Sequence, residues 1–238
     1  MKGFVIGMLV VFMLVASFVV AEESWDKQHP LLDMTVLVGN KDAPGMGTGF
    51  IVTSDGYIAT AAHVVNLYGT TLVVFPEPPF FETARIVYVD KLNDWAIIKV
   101  DRKDLSPIVL GSIDDVELTD PLIYCGHPNG IGWLMSRGIL SGVKFDENGR
   151  RYIFSDLSVY PGASGSGIFT ADYKLIGIIQ MGLPGLGIIG IATDDVVGIA
   201  TAAIMSDRRL EAQRKWLEAL AEKSKIEWKE LEKKLEEE

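Results

Sequence analysis

Twelve short runs rich in apolar and β-branched residues follow one another between Met34 and Thr193. The first six are M-T-V-L-V-G, G-T-G-F-I-V-T, Y-I-A-T-A, T-L-V-V-F, A-R-I-V-Y-V-D and W-A-I-I-K-V. The second six are P-L-I-Y-C-G, R-G-I-L-S-G-V, Y-I-F-S-D, S-G-I-F-T, L-I-G-I-I-Q-M-G and I-I-G-I-A-T. Turn formers such as Ser54-Asp55-Gly56, Asn148-Gly149 and Ala171-Asp172 separate most of them. Runs of this length and spacing read as strands of a sandwich or of barrels. No long amphipathic helix lies between them, which argues against parallel βαβ units. A break near Leu110–Asp120 divides the runs into two sets of six, and 238 residues suffice for one large all-β domain or two lobes.

Both ends of the chain depart from this pattern. Gly3 to Ala21 carries no charge, which no ordinary surface helix can sustain. The run reads either as a signal peptide, the favoured reading, or as a membrane anchor through residues 3–21, since a span needs about 20 apolar residues. Small residues at Val19-Val20-Ala21 suit a cleavage site. Either reading puts Lys2 inside and Glu22-Glu23 outside, so the expected location is extracytoplasmic: periplasmic, secreted or membrane-anchored. From Ser206 the chain is charge-dense, with Leu210, Leu217, Ala221, Trp228, Leu231 and Leu235 along one helical stripe. Thr193 or Asp194 is placed to cap this helix. Its apolar stripe suits an oligomer or partner contact, or packing of one face on the β domain.

The formal net charge of −10 argues against nucleic acid as a partner, because phosphate binding needs a basic surface. A single cysteine, Cys125, permits no internal disulfide and reads as a small buried residue of a strand. No His, Cys or carboxylate cluster has metal-ligand spacing, so neither metal nor cofactor is expected.

The stretch Y-P-G-A-S-G-S-G, Tyr160 to Gly167, interrupts the strands. A serine that attacks a carbonyl needs an exposed hydroxyl, a nearby base, and backbone N–H groups aimed at the developing oxyanion. Ser164, flanked by Gly162 and Gly165, meets the first and third needs, although a plain Ser/Gly turn reads the same way. Of the three histidines, His29 sits in a linker and His127 in a turn, both read as surface residues. His63 follows a strand amid small residues and reads as a base or as a buried core histidine. Asp94 at the mouth of W-A-I-I-K-V is the candidate orienting carboxylate, with Asp90 and Asp101 as alternatives.

T-A-A-H-V, N-D-W-A-I-I-K-V and P-G-A-S-G-S-G, in the order His, Asp, Ser, resemble the signatures of the chymotrypsin/trypsin-like serine peptidases. The steps between them are 31 residues (94 − 63) and 70 residues (164 − 94). G-T-G-F-I-V-T-S-D-G-Y-I-A-T-A-A-H-V-V is similar to the bacterial HtrA-like branch, and the likeness covers roughly residues 35 to 200. It implies an all-β chain of two six-stranded antiparallel barrels over 32–112 and 113–200. Around them lie the signal or anchor segment 1–21, a linker 22–31 and an amphipathic helix 201–238. It also implies a serine endopeptidase acting on polypeptides, with Ser164 as nucleophile, His63 as base and Asp94 as its orienter. The N–H groups of Gly162 and Ser164 would form the oxyanion hole. Gln180, Met181 and Gly182 would pair with an extended substrate, and Ser158, Gly182 and Gly190 would line a first pocket suited to apolar side chains. Ala163 stands where trypsin-like zymogens carry an acid, so no trypsin-style activation is expected. The tail is too short for a PDZ domain. The alternatives are a catalytically silent scaffold that binds partners through the C-terminal helix, and an esterase using the same triad. The esterase elbow ordinarily comes with alternating helices and the order Ser, Asp, His.

Overall fold

The computed structural model describes residues 29–41, 45–76 and 81–236. The uncharged run 3–21 lies outside them, with most of the linker 22–31. No described helix is long and apolar enough to cross a membrane. After a one-turn helix α1 (Pro30–Asp33), the first six strands are β1 (Thr35–Asn40), β2 (Met46–Ile51), β3 (Tyr57–Thr60), β4 (Thr71–Val74), β5 (Phe81–Asp90) and β6 (Trp95–Lys99). They pair in the order β1-β2-β3-β6-β5-β4, and β4 returns to β1 to close a barrel. A two-residue strand β7 (Val109–Leu110) follows.

The second set is β8 (Pro121–Gly126), β9 (Leu134–Phe145), β10 (Arg151–Ser155), β11 (Gly167–Thr170), β12 (Lys174–Leu183) and β13 (Gly187–Ala192). Its order β8-β9-β10-β13-β12-β11, closed by β11 against β8, repeats the winding of the first barrel. All twelve apolar runs became barrel strands. β7 was not among them: it lies parallel to β12 and joins the second sheet at Lys174 and Leu175. Two residues carry no period, so sequence pattern is silent there.

Alternation fills each barrel. Val36 and Val38 of β1 point inward with Ile51, Ile58, Val73, Ala96 and Ile98. Leu122, Tyr124, Leu140, Ile153, Ile168, Ile176, Ile179 and Ile188 fill the second interior. β-branched side chains suit this because each face of a pleated strand presents every second residue to a crowded interior. Cys125 is fully buried, and burial pushes its thiol up to about 12, as a structural cysteine requires.

Thr193 and Asp194 do not cap the long helix. They lie in a 3₁₀ turn (Thr193–Asp195), and the Asp194 carboxylate accepts from Ile113 N at 2.9 Å. Asp195 is held by Arg151, whose guanidinium also reaches Asp114. The carboxylates satisfy donors at the entrance to the second barrel instead. The helix itself, α2 (Val197–Glu236), runs 40 residues, and its Leu210, Trp216 and Leu217 are exposed.

Ile98 and Ile153 each sit at 0% exposure in separate cores. Ile98→Ala and Ile153→Ala should each lower stability by about 2–5 kcal/mol, read as an earlier midpoint in urea unfolding.

Candidate active site

His63 stands on a single 3₁₀ turn (Ala62–Val64) directly after β3. Asp94 closes the tight turn between β5 and β6 with φ +49°, a left-handed conformation that Asp tolerates better than most residues. Its two oxygens grip His63 twice: Oδ1 accepts from the His63 backbone N at 2.9 Å, and Oδ2 lies 2.7 Å from Nδ1. The imidazole is thereby fixed with Nδ1 toward the carboxylate, and Nε2 has no hydrogen-bond partner among the described residues. The hydrogen bond to Asp94 raises the His63 pKa above its ordinary 6.5; burial opposes it less strongly, and the Asp94 charge adds a smaller upward push.

Asp90, an alternative to Asp94, is committed elsewhere. It accepts from Asn93 N at 3.0 Å and from Asn93 Nδ2 at 2.6 Å, which shapes the turn that presents Asp94. Asp101, the other alternative, is exposed and makes no described contact with His63. Gln180 adds a brace from the second barrel: its Nε2 donates to Asn93 O. The pairing of β12 with β13 shifts register between Ile179 and Met181, so Gln180 is the extra residue of a bulge. Bulges re-aim side chains beside functional sites, and this one turns Gln180 toward the Asp94 turn.

The loop around Ser164 is tied down peptide by peptide. Ala163 N donates to Tyr160 O, Gly165 N to Ile179 O and Ser166 N to Ala163 O. Among the described residues, Gly162 N and Ser164 N have no acceptor. Gly162 (φ +105°) and Gly165 (φ +84°) cannot be replaced, because a Cβ would sit 2.4 Å from His127 O at the first and 2.3 Å from Thr48 O at the second. Ser166 is fully buried, with its Oγ unpartnered, and is thereby removed from any external chemistry.

A cavity of about 810 Å³ opens beside Ser164, lined by Ser158, Tyr160, Gly182, Leu183, Gly185 and Gly187 among others. Gly190 is not there. It pairs with Ile153 and Ile179 inside the second barrel, where a Cβ would meet Ile168 at 2.5 Å. The β12–β13 turn supplies the glycine wall instead. Met181 is exposed outside the lining. Asp156 also lines the cavity, with Oδ1 accepting from Ile139 N at 2.7 Å.

Sequence reasoning placed His127 on the surface, but it is buried at 2% exposure, edge-on to Trp133, and burial lowers its pKa. His29 caps α1, its Nδ1 accepting from Leu31 N. Thr48 and the turn after β8 were missed as parts of the site. Their partners lie 114 and 79 residues away in the chain, beyond any local pattern.

The family of trypsin-like peptidase domains matches residues 47–178. The chain is similar to a "Probable periplasmic serine endoprotease DegP-like" of Chlamydia muridarum, 31% identical over 174 residues that cover 69% of this chain and 33% of that protein. A "Putative serine protease HhoB" of Synechocystis sp. is 30% identical over 153 residues, 60% of this chain and 36% of that one. The chain thus spans about a third of the length of these curated relatives. Two solved structures share the fold. The serine endoprotease from Yersinia pestis has a TM-score of 0.65 at 24% identity, covering 77% of this chain and 68% of its own. The HtrA-type protease AlgW with decapeptide has a TM-score of 0.66 at 22% identity, with 74% and 65% covered.

In an NMR titration the His63 imidazole should show a midpoint above 6.5, and Asp94→Asn should lower it. The sign for stability follows: the pair contributes fully below pH 6.5, and its contribution is lost as pH rises through the folded value.

Proposed function

The chain belongs to the trypsin-like peptidase domain family, and on that premise we propose that it is an HtrA-type serine endopeptidase working outside the cytoplasm. The observation that carries the reading is the double grip of Asp94 on His63 in a chain whose Ser164 loop offers two unpaired N–H groups. Ser164 Oγ attacks the scissile carbonyl while His63 Nε2 takes its proton. Asp94 holds the tautomer and stabilises the imidazolium. Gly162 N and Ser164 N donate to the oxyanion of the tetrahedral intermediate. Its collapse breaks the C–N bond, His63 returns the proton to the leaving amine, and an acyl-enzyme remains. Water, deprotonated by His63, then releases the acid and regenerates the serine.

An extended peptide would add along the backbone of Gln180–Gly182. The Gln180 side chain is already engaged with Asn93 O, so its part in substrate binding is through the main chain alone. The glycine-walled cavity beside Ser164 suits an apolar side chain before the cleaved bond. The location rests on the uncharged run 3–21 and on relatives named as periplasmic. The exposed apolar residues of α2 offer a contact for a second copy or a partner.

The full chain should label with a fluorophosphonate probe and the Ser164→Ala variant should not. An unlabelled parent would instead favour the silent scaffold. A peptide panel varied only at the residue before the cleaved bond should favour Leu, Val or Met. Preference for Arg or Lys would overturn the apolar pocket and assign Asp156 as the counter-charge.

A further inference from the structure

We infer that the Thr48 hydroxyl is what keeps the two unpaired N–H groups beside Ser164 pointing into the site, which makes Thr48 a positioning residue that acts from the opposite barrel. The inference rests on the roles proposed above for Ser164 and Gly162.

Thr48 lies on β2, in the first barrel, at 0% exposure. Each of its polar groups is used. Its N donates to Ser164 O at 2.8 Å, and its O accepts from Thr60 Oγ1 at 2.7 Å. Its Oγ1 donates to Gly162 O at 2.7 Å and accepts from His127 N at 3.1 Å. Three of these four bonds go to the second barrel.

In a trans peptide the C=O and N–H point in opposite directions, so holding one carbonyl aims the next residue's N–H. Four successive carbonyls are held here. Asn129 N donates to Pro161 O at 2.6 Å, Thr48 Oγ1 to Gly162 O, Ser166 N to Ala163 O, and Thr48 N to Ser164 O. The first fixes the direction of Gly162 N–H, and the third fixes that of Ser164 N–H. The second pins the peptide between them, after a glycine whose φ of +105° would otherwise leave it free to turn. The Asn129 donor is itself tied to Thr48, because His127, two residues earlier, donates its N–H to the same hydroxyl. One hydroxyl therefore supports the Gly162 peptide on both sides. Thr48→Val keeps the shape and the backbone bond to Ser164 O, but removes both hydroxyl bonds. The Gly162 carbonyl and the His127 N–H, both buried, lose their partners.

The test follows the full chain reacting with an alkyl fluorophosphonate. The Ser164 Oγ–P bond forms, the P–F bond breaks, fluoride leaves and the serine proton passes to His63. Rate against probe concentration separates the maximal rate from half-saturation. Thr48→Val should lower the maximal rate by about 10- to 100-fold with half-saturation little changed, since misplacement of about 1 Å is enough for such a loss. Thr48→Ser, which keeps the hydroxyl, should restore most of it. The His63 titration midpoint should stay where it is, because the Asp94 contacts are untouched. Labelling of Thr48→Val at the parental rate, beside a labelled parent and a blank Ser164→Ala, overturns the Thr48 role and leaves the Ser164 reading standing. An unlabelled parent overturns both. If Thr48→Val does not fold, Thr48→Ala replaces it, and failure of both to fold overturns the inference, because the hydroxyl then serves the fold and not the N–H pair.

Discussion

A sheet closed on itself leaves no edge, and this constraint shapes the rest of the molecule. Both barrels close on themselves, β4 pairing with β1 and β11 with β8, so most ladder donors and acceptors find partners. Unmatched backbone groups then gather in the connections. The Ser164 loop is the connection into β11, and the turns that carry His63 and Asp94 follow β3 and precede β6. A buried carbonyl without a donor costs about 1–3 kcal/mol, so the loop's carbonyls collect donors from both barrels, while two of its N–H groups have no acceptor among the described residues. The chemistry proposed for the site uses what the closed sheets leave over.

The electrostatics follow the same division of labour. The His63 side chain is half exposed and that of Asp94 is 30% exposed, so their attraction is screened and adds little to stability. Its effect is directional. Both carboxylate oxygens are occupied by His63, while the turn that presents Asp94 is shaped by Asp90 and Asn93 and held from the far barrel by Gln180. Ionic geometry at the site is thus secured by the hydrogen bonds of the turn around it.

The architecture was readable in the sequence because each barrel strand announces itself locally, by alternating β-branched residues between turn formers. The pairing of His63 with Asp94 was readable because each sits in a short run of its own. What escaped depends on partners distant in sequence. Thr48 looks like any strand threonine until Gly162 and His127 meet it. Gln180 looks like a substrate-strand residue until a bulge turns it to Asn93. Gly190 was expected on the cavity wall from the family resemblance, but β13 carries it into the barrel interior, and the β12–β13 turn supplies the glycines that line the cavity. His127 read as exposed because a Gly-His-Pro-Asn-Gly turn is ordinarily solvated, and here its first three residues are buried while Asn129 stays exposed. Asp194 read as a helix cap because the nearest backbone N–H groups in sequence belong to the helix. The Ile113 donor, 81 residues away, holds it instead.

The bonds from Thr48 to the Ser164 loop also bear on when during folding the site comes into being. His63 and Asp94 belong to the first barrel, and Ser164 to the second. Two of the four carbonyls held in its loop, those of Gly162 and Ser164, are held from β2, across 114 residues of chain in the case of Gly162. Contacts of such separation form late, after local hairpins have closed. On the function proposed above, a half-made chain, or one whose barrels have formed but not docked, would hold a base without a nucleophile or a nucleophile without its N–H pair. A chain still open enough to be cleaved would then lack the complete site needed to cleave, and closing the two barrels together would be the step that supplies it.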